Sequence, residues 1–399
     1  MTGRLLYNLF LVLYGAGIRV SSLWNLKARK WVAGRKNIFA GIRLKLQTSS
    51  QPTVWMHCAS LGEFEQGRPL IEEIRVQHPG ARILLTFFSP SGYEVMKDYT
   101  GADHVLYLPM DSRSNAKRFL DIVDPSLVLW VKYEYWFYYL DEIRSRNIPA
   151  LLVSGIFREG QPFFRSYGAL WRKMLQSFTH FFVQNEESKE LLATIGIAGN
   201  VSTSGDTRFD RVIGIARTHQ PVPHIEEFCG SDFVIVAGST WEEDEIELLH
   251  FVRQHPQIKF IIAPHEIDPE NLKDVKEEFP DSLFYSELQN SSLNTRNSNI
   301  LIIDNIGMLS RLYKYASIAY VGGGFGQDGV HNVLEAAVYG KPVVFGPVYD
   351  KFIEASGLIA SGGGLSADGP LKLEGLLDQL LADEGADIRV VEDVGDGGV

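Results

Sequence analysis

Past an apolar, basic amino-terminal stretch, the chain alternates between short continuous apolar runs and stretches whose apolar positions recur every three or four residues. The runs predict strands at Val54–Cys58, Arg82–Phe87, His104–Leu108, Leu127–Val131, Ala150–Val153, Phe181–Gln184 and Val201–Ser204. Helical periodicity between them predicts helices over Phe64–Arg75, Ala116–Val123, Tyr135–Ser145 and Glu187–Ile195. Strands that are apolar throughout, separated by helices, point to a parallel sheet covered on both faces. A second set follows at Val234–Ala237, Lys259–Ala263, Ser282–Tyr285, Ile300–Ile303, Ile318–Val321 and Pro342–Phe345. Between the two sets, Thr218–Gly230 carries Pro221 and Pro223 and no period, which predicts a linker. The expected fold is α/β: two doubly wound, Rossmann-like domains facing a cleft, with ligands beyond the carboxyl ends of the strands.

The implied boundaries are an arm at 1–45, a first domain at 46–217, the linker at 218–230, a second domain at 231–382 and a loose, acidic, glycine-rich tail at 383–399. In the arm, Leu5–Val20 reads LLYNLFLVLYGAGIRV, largely apolar, interrupted by Asn8 and closed by Arg19. A spanning helix needs roughly 20 apolar residues, so this one is short. Arg4, the apolar run and Gly15-Ala16-Gly17 imitate a secretory signal. The cations that follow, Lys27, Arg29, Lys30, Arg35 and Lys36, oppose translocation and favour the cytoplasmic side. The expectation is an uncleaved anchor or interfacial helix, whether spanning the bilayer or lying on it.

Charge sharpens that picture. The net charge is −11, yet no Asp or Glu precedes Glu63, and the first 62 residues carry nine of the 38 cations. The remainder balances 29 cations against all 49 acids, so a basic arm would hold an acidic body to an anionic membrane. The arm's Leu, Tyr, Phe and Trp disfavour a nucleic-acid partner. Two cysteines, Cys58 and Cys229, exclude a disulfide framework or a cysteine-based zinc site and fit a reducing cytosol.

Five motifs carry candidate chemistry. In ASIAYVGGGFGQDGVHNVLEAAVYGKPVVFGP, a strand ending at Val321 runs into Gly322-Gly323-Gly324 and on to a helix expected near His331 and Asn332. Glycines there let backbone N–H groups approach a phosphate, and Glu335 offers a carboxylate to ribose hydroxyls; alone, the glycines equally make a tight turn. In HCASLGEFEQGRPL, Glu63 sits at a strand-to-helix junction, where an acid also complements the helix dipole. In VLWVKYEYWFYYL, Lys132 and Glu134 follow a long apolar strand, and Glu134 is equally a partly buried structural acid. In SGDTRFDRV, Arg208 offers a guanidinium to an anion. Gly238-Ser239-Thr240 and Pro264-His265-Glu266 end the second domain's first two strands.

In this order and spacing the motifs resemble the Kdo (3-deoxy-D-manno-octulosonate) transferases of lipopolysaccharide assembly, from the amino terminus to about Ala367. The resemblance implies a GT-B fold, CMP-Kdo as donor, a lipid A precursor (lipid IVA) as acceptor, and a place at the cytoplasmic face of the inner membrane. It makes Glu63 the general base, in a stretch similar to the family's SxGE pattern. Glu134 matches the second acid of ETELW, with Lys132 in place of the first and Tyr133 in place of Thr. Arg208 stands where GNxKFD has Lys, with Asp206 for Asn; Glu134 and Arg208 would support the transition state. The implied CMP contacts are Ser239, Thr240, Pro264, His265 (where the family has Arg), Ile306, Gly307, Met308, Gly322, Gly323, Gly324, Asn332, Val333, Leu334 and Glu335. The tail beyond Ala367 departs from the family's closing helix.

The cleft motifs contain no acid pair of the DxD kind, and Asp304-Asn305 is a weak substitute. The expectation is therefore catalysis without a metal or other cofactor, by direct attack that inverts the anomeric centre. Rival readings are another GT-B lipid-linked glycosyltransferase, a UDP-sugar 2-epimerase, or a non-catalytic sugar-nucleotide sensor on the same fold.

Overall fold

The computed structural model describes residues 2–46, 51–132, 134–290 and 298–382; the tail expected at 383–399 lies outside the described residues, as does Tyr133. The chain divides into two compact units, Met1–Arg211 and Val212–Val399, and the helix Thr207–Arg217 runs across the division.

The first unit is built on seven parallel strands: β1 Thr53–Cys58, β2 Arg82–Phe87, β3 His104–Tyr107, β4 Leu127–Val131, β5 Ala150–Gly155, β6 His180–Val183 and β7 Val201–Thr203, in the order β3-β2-β1-β4-β5-β6-β7. Successive side chains of β1 serve opposite faces, as a two-residue period requires. Trp55 joins Trp130, Leu84 and Leu152 beneath the helices Arg113–Val123 and Phe137–Ser145, while Val54, Met56 and Cys58 join Phe64 and Ile71 of the helix Leu61–Gln77. Burial on both faces is why these strands read as unbroken apolar runs.

Residues 1–45, read from sequence as an arm apart from the first domain, form three helices packed into it: Thr2–Ser21, Leu26–Gly34 and Ile38–Lys45. Tyr7, Leu11, Trp31 and Ile42 are buried in the core shared with Trp55 and Trp130. The Tyr7 hydroxyl donates to Asp111 Oδ2 (2.7 Å) and accepts from the Phe137 N–H (3.1 Å). Asp111 also accepts the Tyr138 and Tyr139 N–H groups, so one buried carboxylate ties the first helix to the start of Phe137–Ser145. The other side of Thr2–Ser21 stays exposed, with Leu5, Leu9, Val12 and Leu13 more than half accessible. Among the described residues no single helix is long and apolar enough to cross a membrane; Gly3–Ser21 and Leu26–Gly34 reach that length and composition only as a pair bent by 120°.

The second unit repeats the plan: β8 Val234–Thr240, β9 Lys259–Pro264, β10 Leu283–Phe284, β11 Ile300–Ile302, β12 Ile318–Val321, β13 Val343–Phe345 and β14 Gly364–Ser366, all parallel, in the order β10-β11-β9-β8-β12-β13-β14. Strand β14 has no apolar run to announce it. The stretch 218–230, expected as a linker, contains the short helix Ile225–Cys229, whose Ile225, Phe228 and Cys229 enter the second unit's core. A five-residue helix is too short to show a period, and Pro221 and Pro223 mask its approach.

Candidate functional site

Strand order reverses once in each sheet, between β1 and β4 and between β8 and β12. At such a point the following loops diverge to opposite faces and leave room beyond the carboxyl ends for a ligand. The sequence's strongest candidates follow these four strands: Glu63 after β1, Glu134 after β4, Ser239-Thr240 at the end of β8 and Gly322–Gly324 after β12.

Glu63 occupies the third position of Leu61–Gln77 and closes a capping box with Ser60. The Ser60 N–H donates to Oε2 (2.9 Å), and the Ser60 hydroxyl donates to the same oxygen. The dipole-complementing role is therefore real, and it also fixes the side chain. Both bonds fall on Oε2, and the half-buried carboxylate is aimed by its own local sequence.

Glu134 is held from two sides. Trp136 Nε1 donates to Oε2 (3.0 Å), and His57 Nε2 lies 3.2 Å from the same atom. His57 is fully buried at the end of β1, and its Nδ1 is 3.0 Å from Thr86 Oγ1, which also accepts from Trp55 Nε1 (2.8 Å). The Thr86 hydroxyl has two acceptors within reach, Nδ1 and the Met56 carbonyl (3.4 Å), and the His57 tautomer that carries its proton on Nε2 donates to Glu134. Lys132 turns the chain out of β4 with φ of 56°, a left-handed conformation rare for a side chain of its size. Burial raises the Cys58 thiol well above its ordinary range, and negative charge on Glu63 and Glu134 adds to the rise. Both carboxylates stand beyond the end of β1, Glu63 in the helix that follows it and Glu134 through its contact with His57.

Behind Glu134 lies a layer from the amino-terminal helices. The Trp136 ring packs on Phe88 (centroids 4.6 Å apart), and the Arg35 guanidinium lies over Trp31 (3.9 Å) and Phe88 (4.7 Å). Arg35 donates to the carbonyls of Phe88 (2.8 Å) and Leu108 (3.0 Å) at the ends of β2 and β3. Burial pulls this guanidinium below its ordinary value, while Tyr107, Tyr139, Tyr14 and Glu134 pull it back. One of the cations counted toward a membrane surface is therefore structural.

Arg208 is the second residue of the helix Thr207–Arg217 and pairs with Asp206, at 2.9 Å from Nε and 2.7 Å from a terminal guanidinium nitrogen, both to Oδ2. Asp206 Oδ1 accepts from the Arg208 N–H (3.0 Å) and from Gln66 Nε2 (3.2 Å). Thr207 Oγ1 donates to the Gln66 carbonyl (2.6 Å). Gln66 lies one turn beyond Glu63, so the helix bearing the candidate base is fastened to the start of the helix bearing Arg208.

In the second unit, the proposed nucleotide contacts all follow carboxyl ends of parallel strands: Ser239-Thr240 at β8, Pro264-His265 at β9, Ile306-Gly307-Met308 after β11, and Gly322–Gly324 with Asn332–Glu335 after β12. The glycines are required by packing: a Cβ on Gly322 would stand 2.3 Å from the Ser239 carbonyl oxygen, and Gly323 has φ of +88°. Two of their N–H groups are already engaged, Gly322 with the Gly238 carbonyl (2.9 Å) and Gly323 with Asp244 Oδ2 (2.7 Å). The buried Asp244 also accepts from Tyr320 and Trp241 (2.7 and 3.0 Å), and burial raises its carboxyl above the usual range. The helix expected near His331 starts later and spans only Leu334–Ala337; Asn332 Nδ2 donates to Glu335 Oε1 (3.1 Å) just before it. Trp241 Nε1 donates to His331 Nε2 (2.9 Å), and His265 stacks across both rings at 4.6 and 4.4 Å. Asp304 accepts the Ser286 N–H (3.0 Å). Among the described residues no three His, Cys, Asp or Glu side chains are grouped as metal ligands.

Sequence reasoning missed His57, Arg35, Asp244 and the Trp241–His331 pair. His57 had one signal, a lone polar side chain inside an apolar strand. Asp244 caps its own helix locally, but its bonds to Tyr320 and Gly323, like the Arg35 bonds to Phe88 and Leu108 and the Trp241–His331 pair, are distant in sequence and no local pattern announces them.

Two parallel seven-stranded units, each with candidate residues beyond the carboxyl edge at a strand-order reversal, define a GT-B-type protein. Solved structures agree on the fold: a UDP-GlcNAc 2-epimerase from Neisseria meningitidis superposes with TM-score 0.57 and 16% identity, covering 83% of this chain and 91% of its own. The family described as 3-Deoxy-D-manno-octulosonic-acid transferase (kdotransferase) matches residues 36–211. A 3-deoxy-D-manno-octulosonic acid transferase from Aquifex aeolicus is 30% identical over 305 residues, 75% of this chain and 77% of that protein. A bifunctional glycosyltransferase/methyltransferase from Fusobacterium nucleatum is 31% identical over 306 residues, and the chain spans about half its length, 47%. The chain belongs to the Kdo transferase family, glycosyltransferases of lipopolysaccharide synthesis.

Proposed function

We propose that this chain is an inverting glycosyltransferase that moves Kdo from CMP-Kdo to the lipid A precursor at the cytoplasmic face of the inner membrane. The observation that carries the reading is the gathering of Glu63 and Glu134 at the end of β1, one aimed by a capping box and the other by His57 and Trp136. In this reading Glu63 takes the proton of the acceptor hydroxyl as its oxygen attacks the anomeric carbon. The bond to the phosphate oxygen breaks as the new one forms, and CMP departs with the electron pair. Direct attack without a covalent intermediate inverts the centre. Arg208 and Lys132 supply positive charge toward the donor's carboxylate and phosphate, and the second unit's Ser239, Thr240, His265, Met308 and Glu335 hold CMP.

The test is mass spectrometry of the product from purified full-length protein, CMP-Kdo and tetraacyl lipid A precursor. Addition of one or more Kdo masses is expected, with activity retained in EDTA. No transfer, together with epimerisation of UDP-GlcNAc, would move the protein to the epimerase reading. Loss of activity in EDTA with recovery in magnesium would replace the metal-free mechanism.

A further inference from the structure

The three amino-terminal helices, the loop after β3 and the helix Arg113–Val123 line a groove of about 770 Å³ that the reaction above does not use. Its walls include Leu11, Trp31 and Phe39, and its lining also brings in Arg19, Lys36 and Arg118, with no Asp or Glu. The Arg118 guanidinium lies 4.3 Å over the Phe39 ring, so a charged head and an apolar wall meet in one place. Trp31 is 8% exposed, and its indole N–H has no hydrogen-bond partner among the described residues. A buried donor left unpaired is destabilising, and an oxygen of a bound molecule would satisfy it. Val12, also in the lining, is 68% exposed and belongs to the uncovered apolar face of Thr2–Ser21 with Leu5, Leu9 and Leu13.

We propose that this groove binds one anionic diacyl phospholipid of the bilayer, its phosphate against Lys36, Arg118 and Arg19 and one acyl chain along Leu11 and Phe39. Cations without a balancing acid select an anion, the apolar walls select hydrocarbon, and continuity with the exposed helix face selects a molecule held in a membrane. A soluble nucleotide has no use for that face, and a nucleic acid has no hydrocarbon to offer the walls. The inference rests on the membrane reading of the amino-terminal helices.

The experiment takes the full chain in neutral detergent through native mass spectrometry with added phosphatidylglycerol or phosphatidylcholine. A retained phosphatidylglycerol adduct, at least tenfold favoured over phosphatidylcholine, is expected. The double variant Lys36→Glu/Arg118→Glu should lose that preference, and Ala33→Trp, which fills the mouth from an exposed lining position, should lose the adduct with melting temperature unchanged. An adduct that survives both variants overturns the groove, as does full displacement of the adduct by added inorganic phosphate, which would mark a site for the anion alone. Flotation with phosphatidylglycerol vesicles separates the two ideas: a chain that stays unbound sinks the membrane reading itself, whereas one that floats while both variants keep the adduct sinks only the groove.

Discussion

The His57 imidazole approaches Glu134 at 3.2 Å, and it does so from inside the sheet, fully buried, with Thr86 fixing its other nitrogen. Trp136 meets the same carboxylate oxygen from the following loop at 3.0 Å. A charge-assisted hydrogen bond contributes about 1.5–3 kcal/mol. Trp136→Phe removes one donor while keeping the aromatic contact with Phe88. Turnover is expected to fall about ten- to hundredfold with KM for the donor little changed; an equal rise in KM with intact turnover would show that Glu134 serves binding instead.

Glu63→Gln separates the cap from the base. Glutamine closes a capping box as glutamate does, so stability should hold, but it cannot accept the proton. General-base catalysis contributes about 10²- to 10⁴-fold, and turnover should fall by that order with CMP affinity unchanged. A variant as active as the parent would hand the role to Glu134.

Glu335→Ala tests the donor site. If this carboxylate accepts from the ribose hydroxyls, CMP affinity measured by calorimetry should drop at least tenfold, since each charged hydrogen bond contributes about 1.5–3 kcal/mol. Asn332 Nδ2 donates to Glu335 Oε1 at 3.1 Å and orients the side chain. Unchanged affinity would leave Glu335 as support for that turn.

Acid should reveal His331. Burial first, then the neighbouring His265, lowers its pKa to about 4, and its Nε2 must stay unprotonated to accept from Trp241. An unfolded histidine titrates near 6.5, so the unfolded chain binds the extra proton first as pH falls. Stability from this group is therefore full above about 6.5 and is lost toward about 4. Allowing for partial exposure, the loss is about 1–2 kcal/mol. His331→Gln keeps an acceptor for Trp241 and does not titrate, so its melting temperature should fall less steeply across that window; parallel curves would refute the assignment.

Tyr7→Phe should destabilise the first unit by about 2–3 kcal/mol, read by denaturant unfolding, because it strips a donor from buried Asp111 and an acceptor from the Phe137 N–H. Deleting residues 1–24 should cost more still. A truncated protein as stable as the parent would mean that these helices are an appendage.

The alternation of apolar runs and helical periods was enough to reveal two parallel α/β units, because strands buried on both faces leave an unbroken apolar signature: Arg82–Phe87, Leu127–Val131 and Ile318–Val321 begin and end where the pattern places them. Local chemistry was legible too, since Ser60 and Glu63 form their capping box within four residues of chain. Strand order was not, and only the sheet brings Glu63 and Glu134 to one reversal point. The apolar, basic amino terminus reads as a membrane segment because hydrophobicity does not say what it packs against. Only the tertiary structure divides its residues, setting Tyr7, Trp31 and Arg35 into the core behind Glu134 and leaving Leu5, Leu9 and Val12 outside. The Gly322–Gly324 loop shows the same limit: its glycines predict a close approach of backbone, but the groups that come close are Gly238 and Asp244, contributed by a strand and a helix some eighty residues earlier.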